Sequence, residues 1–401
     1  MCCMTAAAKP VKDRNKSNQP NKLAYLYCVG MEWLDNYCIK DIDTSYIGLP
    51  ERNWRIAFTN SEIGIHSTYI SQTPGLSEYL GSITLRSVTT PSLDLGFHIG
   101  LRSFGFGYSW DALHAYSQKL NFSIGGKAWG IELLRQKSAN INSFLTIDSL
   151  KSTPPPFNFD NYPLGEGKVM IINTNLTAWY ALNSAHYSHN AAIKQAYIQK
   201  KTAGSLLLTL SYLNTDMAFN HDTTYKDVIP AILNKVEKMV THQVAVGLGY
   251  GINYTPNDGK VLLHLSAVAQ AVFYSINYVT YLDTVDTRYA APSYTIRPKN
   301  PVHFTGSIRA AVSWEINDWV HLSARGQVDN IRFRAEANKG LADMSNWNWQ
   351  AHLAIGVRLG VEKKDSRRIL ELSDGYRKPV KQEPPDTRLP KWITEYFFSP
   401  H

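Results

Sequence analysis

No run of about 18 or more apolar residues occurs in the 401-residue chain, so no helix in it is long and apolar enough to cross a bilayer, and a helical membrane protein is excluded. Charge is also scarce. Only 18% of the residues are Asp, Glu, Lys or Arg, against about a quarter in an ordinary soluble protein, whereas aromatics reach 12%. Cysteine is limited to four residues, and the 12 histidines form neither a Cys/His cluster nor an H-x-x-x-H pair on a helical stretch, so no metal is predicted. The glycine-rich GLGYGINY at 247–254 has no Lys-Ser/Thr after it and alternates small and aromatic residues as a strand does, so no phosphate loop and no cofactor is predicted. The net charge of +8 comes from scattered lysines and arginines without a basic helix or zinc-ligand pattern, which argues against nucleic acid as a partner.

What the chain does hold begins with an unusual start, MCCMTAAAKPVKDRN. Ala6 to Ala8 form an A-x-A site ahead of Lys9, so residues 1–8 read as the remnant of a signal peptide, the alternative being a cytosolic tail that happens to contain alanines. Residues 9–51 then form a periplasmic basic linker and N-terminal segment, opening on the polar KPVKDRNKSNQPNK. Export would leave Cys28 and Cys38 in an oxidising compartment as candidates for a disulfide. On one continuous helix the two would stand about 15 Å apart, beyond the roughly 7 Å reach of a bridge, so pairing requires a turn, for which Gly30 is the available place.

From Trp54 to Leu359 the dominant pattern is period two. In VHFTGSIRAAVSWEIN (302–317), Val302, Phe304, Ile308, Val312, Trp314 and Ile316 fall on one face, with His303, Thr305, Arg309, Ser313 and Glu315 on the other. SLDLGFHIGLRS and NWNWQAHLAIGVRLG repeat the arrangement, and such segments recur about twelve times, an even number that suits a closed barrel. Several links are very short, such as Ser103 and Asn317–Asp318, and alternate with long ones such as 72–91 and 138–167. A soluble sandwich or lipocalin-like barrel would turn its apolar set inward. Here the second face holds Arg, Asp, Glu, His and many glycines, so the arrangement is inside-out. The predicted fold is all-β: an antiparallel transmembrane β-barrel of about 12 strands over residues 52–360, with a periplasmic N-terminal segment and a periplasmic C-terminal tail, 361–401.

The inward face places Arg55, His98, Arg102, Arg309, Arg325 and Arg358 with Asp94, Asp111, Glu132, Glu315 and Asp329. The two signs balance, which predicts a lumen knit by ion pairs rather than a selective pore lined by one sign. Asp94, His98 and Arg102 share a strand face on which an acid–base site could be built, but satisfied ion pairs are the usual filling of a barrel this narrow. Asn183, Ser184 and His186 supply the residue types of a barrel phospholipase, yet as neighbours in one link they are in the wrong arrangement for it.

One link breaks the alternation of lengths. SAHYSHNAAIKQAYIQKKTA lies at 184–203, where a tight turn belongs, and its Ala191, Ala192, Ile193 and Ala196 favour a short helix capped by Ser188 or Asn190. Tyr187-Ser188, Ala191-Ala192-Ile193, Gln195 and Gln199-Lys200-Lys201-Thr202-Ala203-Gly204-Ser205, together with Asp43-Thr44-Ser45-Tyr46-Ile47 ahead of the first strand, resemble the signature of the Gram-negative domain-of-unknown-function family 4421. The resemblance spans about 43–360 and departs from the family pattern at His189 and Asn190. It implies an outer-membrane barrel of unassigned activity, of the kind found in Bacteroidetes. The insert is read as a lumen cap, or as a surface on which Gln195, Gln199, Lys200 and Lys201 meet an acidic ligand or a periplasmic protein partner. The expected function is non-enzymatic: a structural scaffold or a narrow channel for small polar solutes in the outer membrane of a Gram-negative bacterium, its bilayer being the primary partner. A lipid-modifying enzyme is the alternative.

Overall fold

The computed structural model describes residues 22–72, 83–88, 92–112, 117–139, 142–147, 162–164, 169–219, 236–256, 259–281, 294–296, 302–337, 340–362 and 365. The signal-peptide remnant at 1–8, the linker at 9–21 and the tail beyond 365, with its aromatic run at 392–398, lie outside the described residues. Cys38–Gly360 form one compact unit. Helix α1 (Lys22–Ile39) belongs, as far as Tyr37, to a second. α1 is continuous through Gly30, so the turn that a Cys28–Cys38 bridge requires does not form, and the two cysteines are not bridged. Ten residues of helix hold them about 15 Å apart.

Twelve strands build the wall. They are β1 (Trp54–Gln72), β2 (Ser92–Leu101), β3 (Phe104–Asp111), β4 (Ser117–Gly125), β5 (Trp129–Ala139) and β6 (Val169–Ala181). The second half comprises β7 (Ala203–Phe219), β8 (Val236–Tyr254), β9 (Val261–Tyr281), β10 (His303–Glu315), β11 (Val320–Ala337) and β12 (Gly340–Leu359). Each strand pairs antiparallel with its neighbours in sequence, and β12 returns to β1 along a ladder running from Leu341–Gln72 to Leu359–Trp54. The sheet is closed. Four short strands, Ile83–Val88, Asn142–Ile147, Tyr162–Leu164 and Tyr294–Ile296, extend it beyond the barrel order.

The alternation of the sequence becomes two faces of this wall. Outward positions such as Phe58, Leu95, Leu248, Phe304 (73% exposed), Ile308 and Leu353 form an apolar exterior. Inward positions are polar and buried: Asn173, Ser211, Thr215, Gln243, Ser266, Asn346 and Asn348 are among them. They bond to one another between neighbouring strands, as in Thr215 Oγ1 to Asn173 Oδ1 at 3.0 Å, and across the interior, as in Asn348 Nδ2 to Gln136 Oε1 at 3.3 Å. An apolar belt around a filled polar interior is the arrangement of a transmembrane barrel.

Two inward glycines show how tightly that interior is filled. A Cβ on Gly100 would collide with the Arg55 guanidinium, and one on Gly356 with the His321 imidazole. The missing side chain on one strand is the space for a long side chain on the next. Gly356→Ala is therefore expected to lower barrel stability by about 1–3 kcal/mol, measured from the urea midpoint of the band shift between folded and heat-denatured forms. Adding His321→Ala should recover most of the loss; additive losses would show that the two positions do not compete for one space.

Candidate functional site: a filled lumen and its insert

The links Arg102–Ser103, Gly126–Ala128 and Ile316–Trp319 turn the chain at one mouth of the barrel, where Trp54 and Leu359 also sit. Between β6 and β7 the link at this mouth instead runs from Leu182 to Thr202 and folds inward, and every residue from Tyr187 to Tyr197 is buried. Helix α2 (His189–Lys194) is its centre. Ser188 caps it, its Oγ accepting the Ala191 amide at 3.2 Å, and Gln195 ends it in the left-handed region at φ 50°, donating Nε2 to the Ala192 carbonyl at 2.9 Å. Ala191 and Ala192 keep the helix slim enough to enter the lumen, and both are fully enclosed.

Wall and insert hold each other by backbone carbonyls. Asn190 Nδ2 donates to the Gly126 carbonyl at 2.9 Å, Arg325 Nη1 to the Ile193 carbonyl at 2.6 Å, and Asn253 Nδ2 to the Ser188 carbonyl at 2.9 Å. A small apolar cluster of Trp179, Ala181, Tyr187 and Leu207 seals its entry. At the mouth, Ile47–Gly48 pairs with Ile198–Gln199, the Asp43 amide donates to the Ala185 carbonyl at 3.0 Å, and the Lys200 amide to the Tyr46 carbonyl at 2.7 Å. The two segments that carry the family resemblance therefore meet each other. Part of the stretch assigned by sequence to the N-terminal segment, Asp43–Gly48, belongs to the barrel unit.

The Gln-Lys-Lys-Thr-Ala-Gly-Ser stretch is used internally. Gln199 Oε1 accepts the Ser188 amide at 3.0 Å and Asn253 Nδ2 at 3.1 Å, while its Nε2 donates to the carbonyls of His186 at 2.6 Å and Lys201 at 2.9 Å. Lys200 Nζ reaches the Thr44 carbonyl at 2.9 Å, and Lys201 Nζ lies 4.9 Å above the Tyr46 ring. Asn183 Nδ2 donates to the Gly204 carbonyl at 2.9 Å, and Ser205 Oγ accepts the Asn183 amide at 2.9 Å. Gln195 and Gln199 thus spend their side chains on the insert's own fold, and Lys200 and Lys201 are the members of the set that face solvent.

Among the described residues, two ion pairs join inward charges named from sequence. Glu132 on β5 and Arg309 on β10 meet across the lumen at 3.0 Å, with Asn121 Nδ2 on the second carboxylate oxygen at 3.3 Å. Glu315 takes both guanidinium nitrogens of Arg358, one at 2.7 Å. Asp329 accepts Gln327 Nε2 at 2.6 Å. The Asp94–His98–Arg102 trio does not assemble: Asp94 accepts the Ser117 hydroxyl at 2.9 Å and lies in register with Asp111, while His98 packs over Gly105 and Gly107. Arg102 sits in a turn at φ 50°, off the strand face, and donates to the Pro50 carbonyl at 2.8 Å while its own carbonyl accepts Arg55 Nη2 at 2.8 Å. His186 has Asn183 Oδ1 3.0 Å from Nδ1 and Asp43 Oδ2 3.5 Å from Nε2. Burial presses the Asp43 carboxyl upward, yet the Ser45 hydrogen bonds, His186 and Lys201 together hold it below its ordinary range.

Several central residues were not singled out by the sequence. His189 Nδ1 meets the Tyr187 hydroxyl at 3.1 Å, and its ring stands 5.2 Å from that of His264, which in turn bonds Asn253 Oδ1 at 2.8 Å. Burial, followed by His264, Arg309 and Lys194, keeps the His189 imidazole neutral by lowering its pKa well below the ordinary value. The signal for His264 was its inward position in the β9 alternation; His189 and Lys194, on a helix, follow no such period. Two interior cavities, of about 50 and 40 Å³, flank the Glu132–Arg309 pair. Among the described residues, no group of three or more His, Cys, Asp or Glu is placed to hold a metal ion.

Compared with known proteins, residues 41–359 match the family described as Domain of unknown function (DUF4421). No curated protein matches the chain. Among solved structures, the outer membrane protease OmpT of Escherichia coli is similar at 10% identity and a TM-score of 0.38, covering 76% of this chain and 97% of that one. OprG of Pseudomonas aeruginosa is similar at 9% identity and a TM-score of 0.28, covering 80% of this chain and 100% of that one. The translocator domain of the autotransporter NalP of Neisseria meningitidis is similar at 11% and 0.30, covering 84% and 99%.

Lys194 gives the insert a pH signature. Its side chain is 5% exposed and its Nζ has no hydrogen-bond partner among the described residues. Burial pushes its pKa down to about 8, with Glu132 opposing and Arg55, Arg309 and Arg325 adding to the shift. An unfolded lysine keeps its proton to about pH 10.4, so between about 8 and 10.4 the unfolded chain binds more protons and stability rises with pH, by on the order of 3 kcal/mol at the limit. In low-salt buffer the wild-type urea midpoint should climb across that window, and Lys194→Met should climb less steeply across it and be more stable than wild type at pH 7. Parallel curves for the two proteins would place Lys194 outside this environment.

Proposed function

The chain belongs to the DUF4421 family, and from that membership and the occupied lumen we propose a non-enzymatic outer-membrane barrel of a Gram-negative bacterium whose resting lumen is closed by residues 184–203. It serves as a scaffold, or as a narrow path for small polar solutes that opens when the insert yields. One observation carries this reading: the unbroken buried run from Tyr187 to Tyr197 inside a closed wall. Paired charges of both signs across the lumen support it, since an ion-selective pore is lined by one sign. Bacterial barrels keep their short turns in the periplasm, so the mouth with Arg102–Ser103 and Ile316–Trp319 is assigned to that side. Lys200 and Lys201 then stand where a periplasmic partner would reach them. The lipid-modifying alternative needs a histidine free to act as base for Ser184, and both ring nitrogens of His186 already face Asn183 and Asp43.

In planar lipid bilayers the intact protein is expected to give small or no steady conductance, and deleting 186–202 should raise it. Asn190→Ala combined with Gln199→Ala, which cuts the anchors and keeps the chain length, should produce transient openings. Large, stable, ion-selective conductance of the intact protein would overturn the closed-lumen reading.

A further inference from the structure

The smaller cavity lies under the end of α2 and is lined by Lys119, Glu132, Ile193, Arg309, Arg325, Gln350 and His352, among others. Its polar atoms are unusual in kind. Lys119 Nζ bonds the side-chain oxygen of Gln350, and because an ammonium only donates, the Gln350 Nε2 is left as a donor. That nitrogen, on a residue 7% exposed, has no partner among the described residues. Arg325 spends Nη1 on the Ile193 carbonyl and leaves Nε unpartnered, and both ring nitrogens of His352 are likewise unpartnered, one of which is an N–H in any neutral tautomer. The Lys194 ammonium, also unpartnered, is within electrostatic reach of Glu132, Arg309 and Arg325, three residues of this cavity wall. Unpartnered donors gathered in one cavity call for an acceptor.

The charges say which acceptor. Around the two cavities Lys119, Arg309 and Arg325 face Glu132 and Asp329, and just beyond the walls Lys194 and Asp94 add one charge of each sign, so the cations exceed the carboxylates by one. Glu132 is paired with Arg309 and bonded to Asn121, which leaves the surplus positive charge on the side of Lys119 and Arg325. The cavity of about 40 Å³ exceeds the roughly 10–15 Å³ that one water needs, so it takes a guest of a few atoms at most. We propose that the lumen beneath α2 is a binding site for a small monovalent anion of the halide class, held by Arg325, Gln350 and His352, with Lys119 and the nearby Lys194 adding positive charge. The bound anion completes the hydrogen bonding of the insert's floor and neutralises the charge that the insert brings into the barrel. The inference is independent of the closed-lumen reading, because a barrel that conducts could hold the same ion.

The probe is bromide, with the purified full-length protein in detergent and a gluconate buffer. The thermal midpoint of the folded-to-unfolded band shift should rise saturably with bromide. Crystals soaked in bromide should show an anomalous peak bounded by Arg325, Gln350 and His352. Lys194→Met, which removes a buried charge beside the cavity, should weaken the bromide response at least about tenfold. Gln350→Glu, which keeps the bond to Lys119 and replaces a donor with a carboxylate, should abolish it. A midpoint that does not saturate with bromide, an equal response in both variants, or density in the cavity without anomalous signal would each overturn the site and leave water as its guest.

Discussion

The ladder between β12 and β1 is the constraint on which everything else rests. In hydrocarbon an unpaired backbone amide or carbonyl costs several kcal/mol, so a sheet can cross only if it has no edge. Closure from Leu341–Gln72 to Leu359–Trp54 meets that condition and at the same time fixes how wide the interior is. Side chains of the wall alone can fill a barrel of about eight strands, and about sixteen leave an open channel. Twelve strands fall between, too wide to be packed by short residues and too narrow to be a comfortable pore. The long inward arginines, lysines and glutamines close part of the gap, and a segment of chain folded into the lumen closes the rest.

That solution brings charges into an enclosed space, where each must find a partner. Glu132–Arg309 ties opposite sides of the wall, and Glu315–Arg358 ties β10 to β12 past the intervening strand. Removing one member of such a pair would leave the other buried and uncompensated, which costs far more than the pair itself contributes. The insert is held differently. Arg325 and Asn253 of the wall donate to its carbonyl groups, satisfying the backbone of a helix too short to satisfy itself, and its own Asn190 donates back to the Gly126 carbonyl of a wall link.

The strands, their number and their two faces were legible in the sequence because alternation is a local property: Phe304 outward and Arg309 inward can be read from their neighbours alone. The partners of the inward residues were not legible. Which strand faces Glu132 across the lumen depends on closure and stagger, and these are properties of the whole sheet. Arg102 is buried as an inward residue should be, but its left-handed turn conformation and its bond to the Pro50 carbonyl are not readable from the period of the strand. The family-like segment is legible as an interruption; of the two readings it allows, the geometry turns Gln195 and Gln199 onto the insert rather than toward a ligand. The lumen positions of Lys194 and His189 are not legible, because helical residues entering a β-lumen carry no signal at period two.

The two-residue ribbon of Ile47–Gly48 with Ile198–Gln199 has a mechanical meaning. The β6–β7 ladder is continuous from Val169–Phe219 to Ala181–Leu207, so the wall is complete whether or not the insert is seated. The chain just ahead of β1, in contrast, is stitched to the insert at Asp43, Tyr46 and Ile47 before it enters the wall at all. Tension applied along that chain is therefore borne first by a handful of hydrogen bonds at the mouth, arranged in a short ribbon, and only afterwards by the long ladders of the barrel. The insert is the fuse of the assembly: a pull strong enough to move it spares the wall.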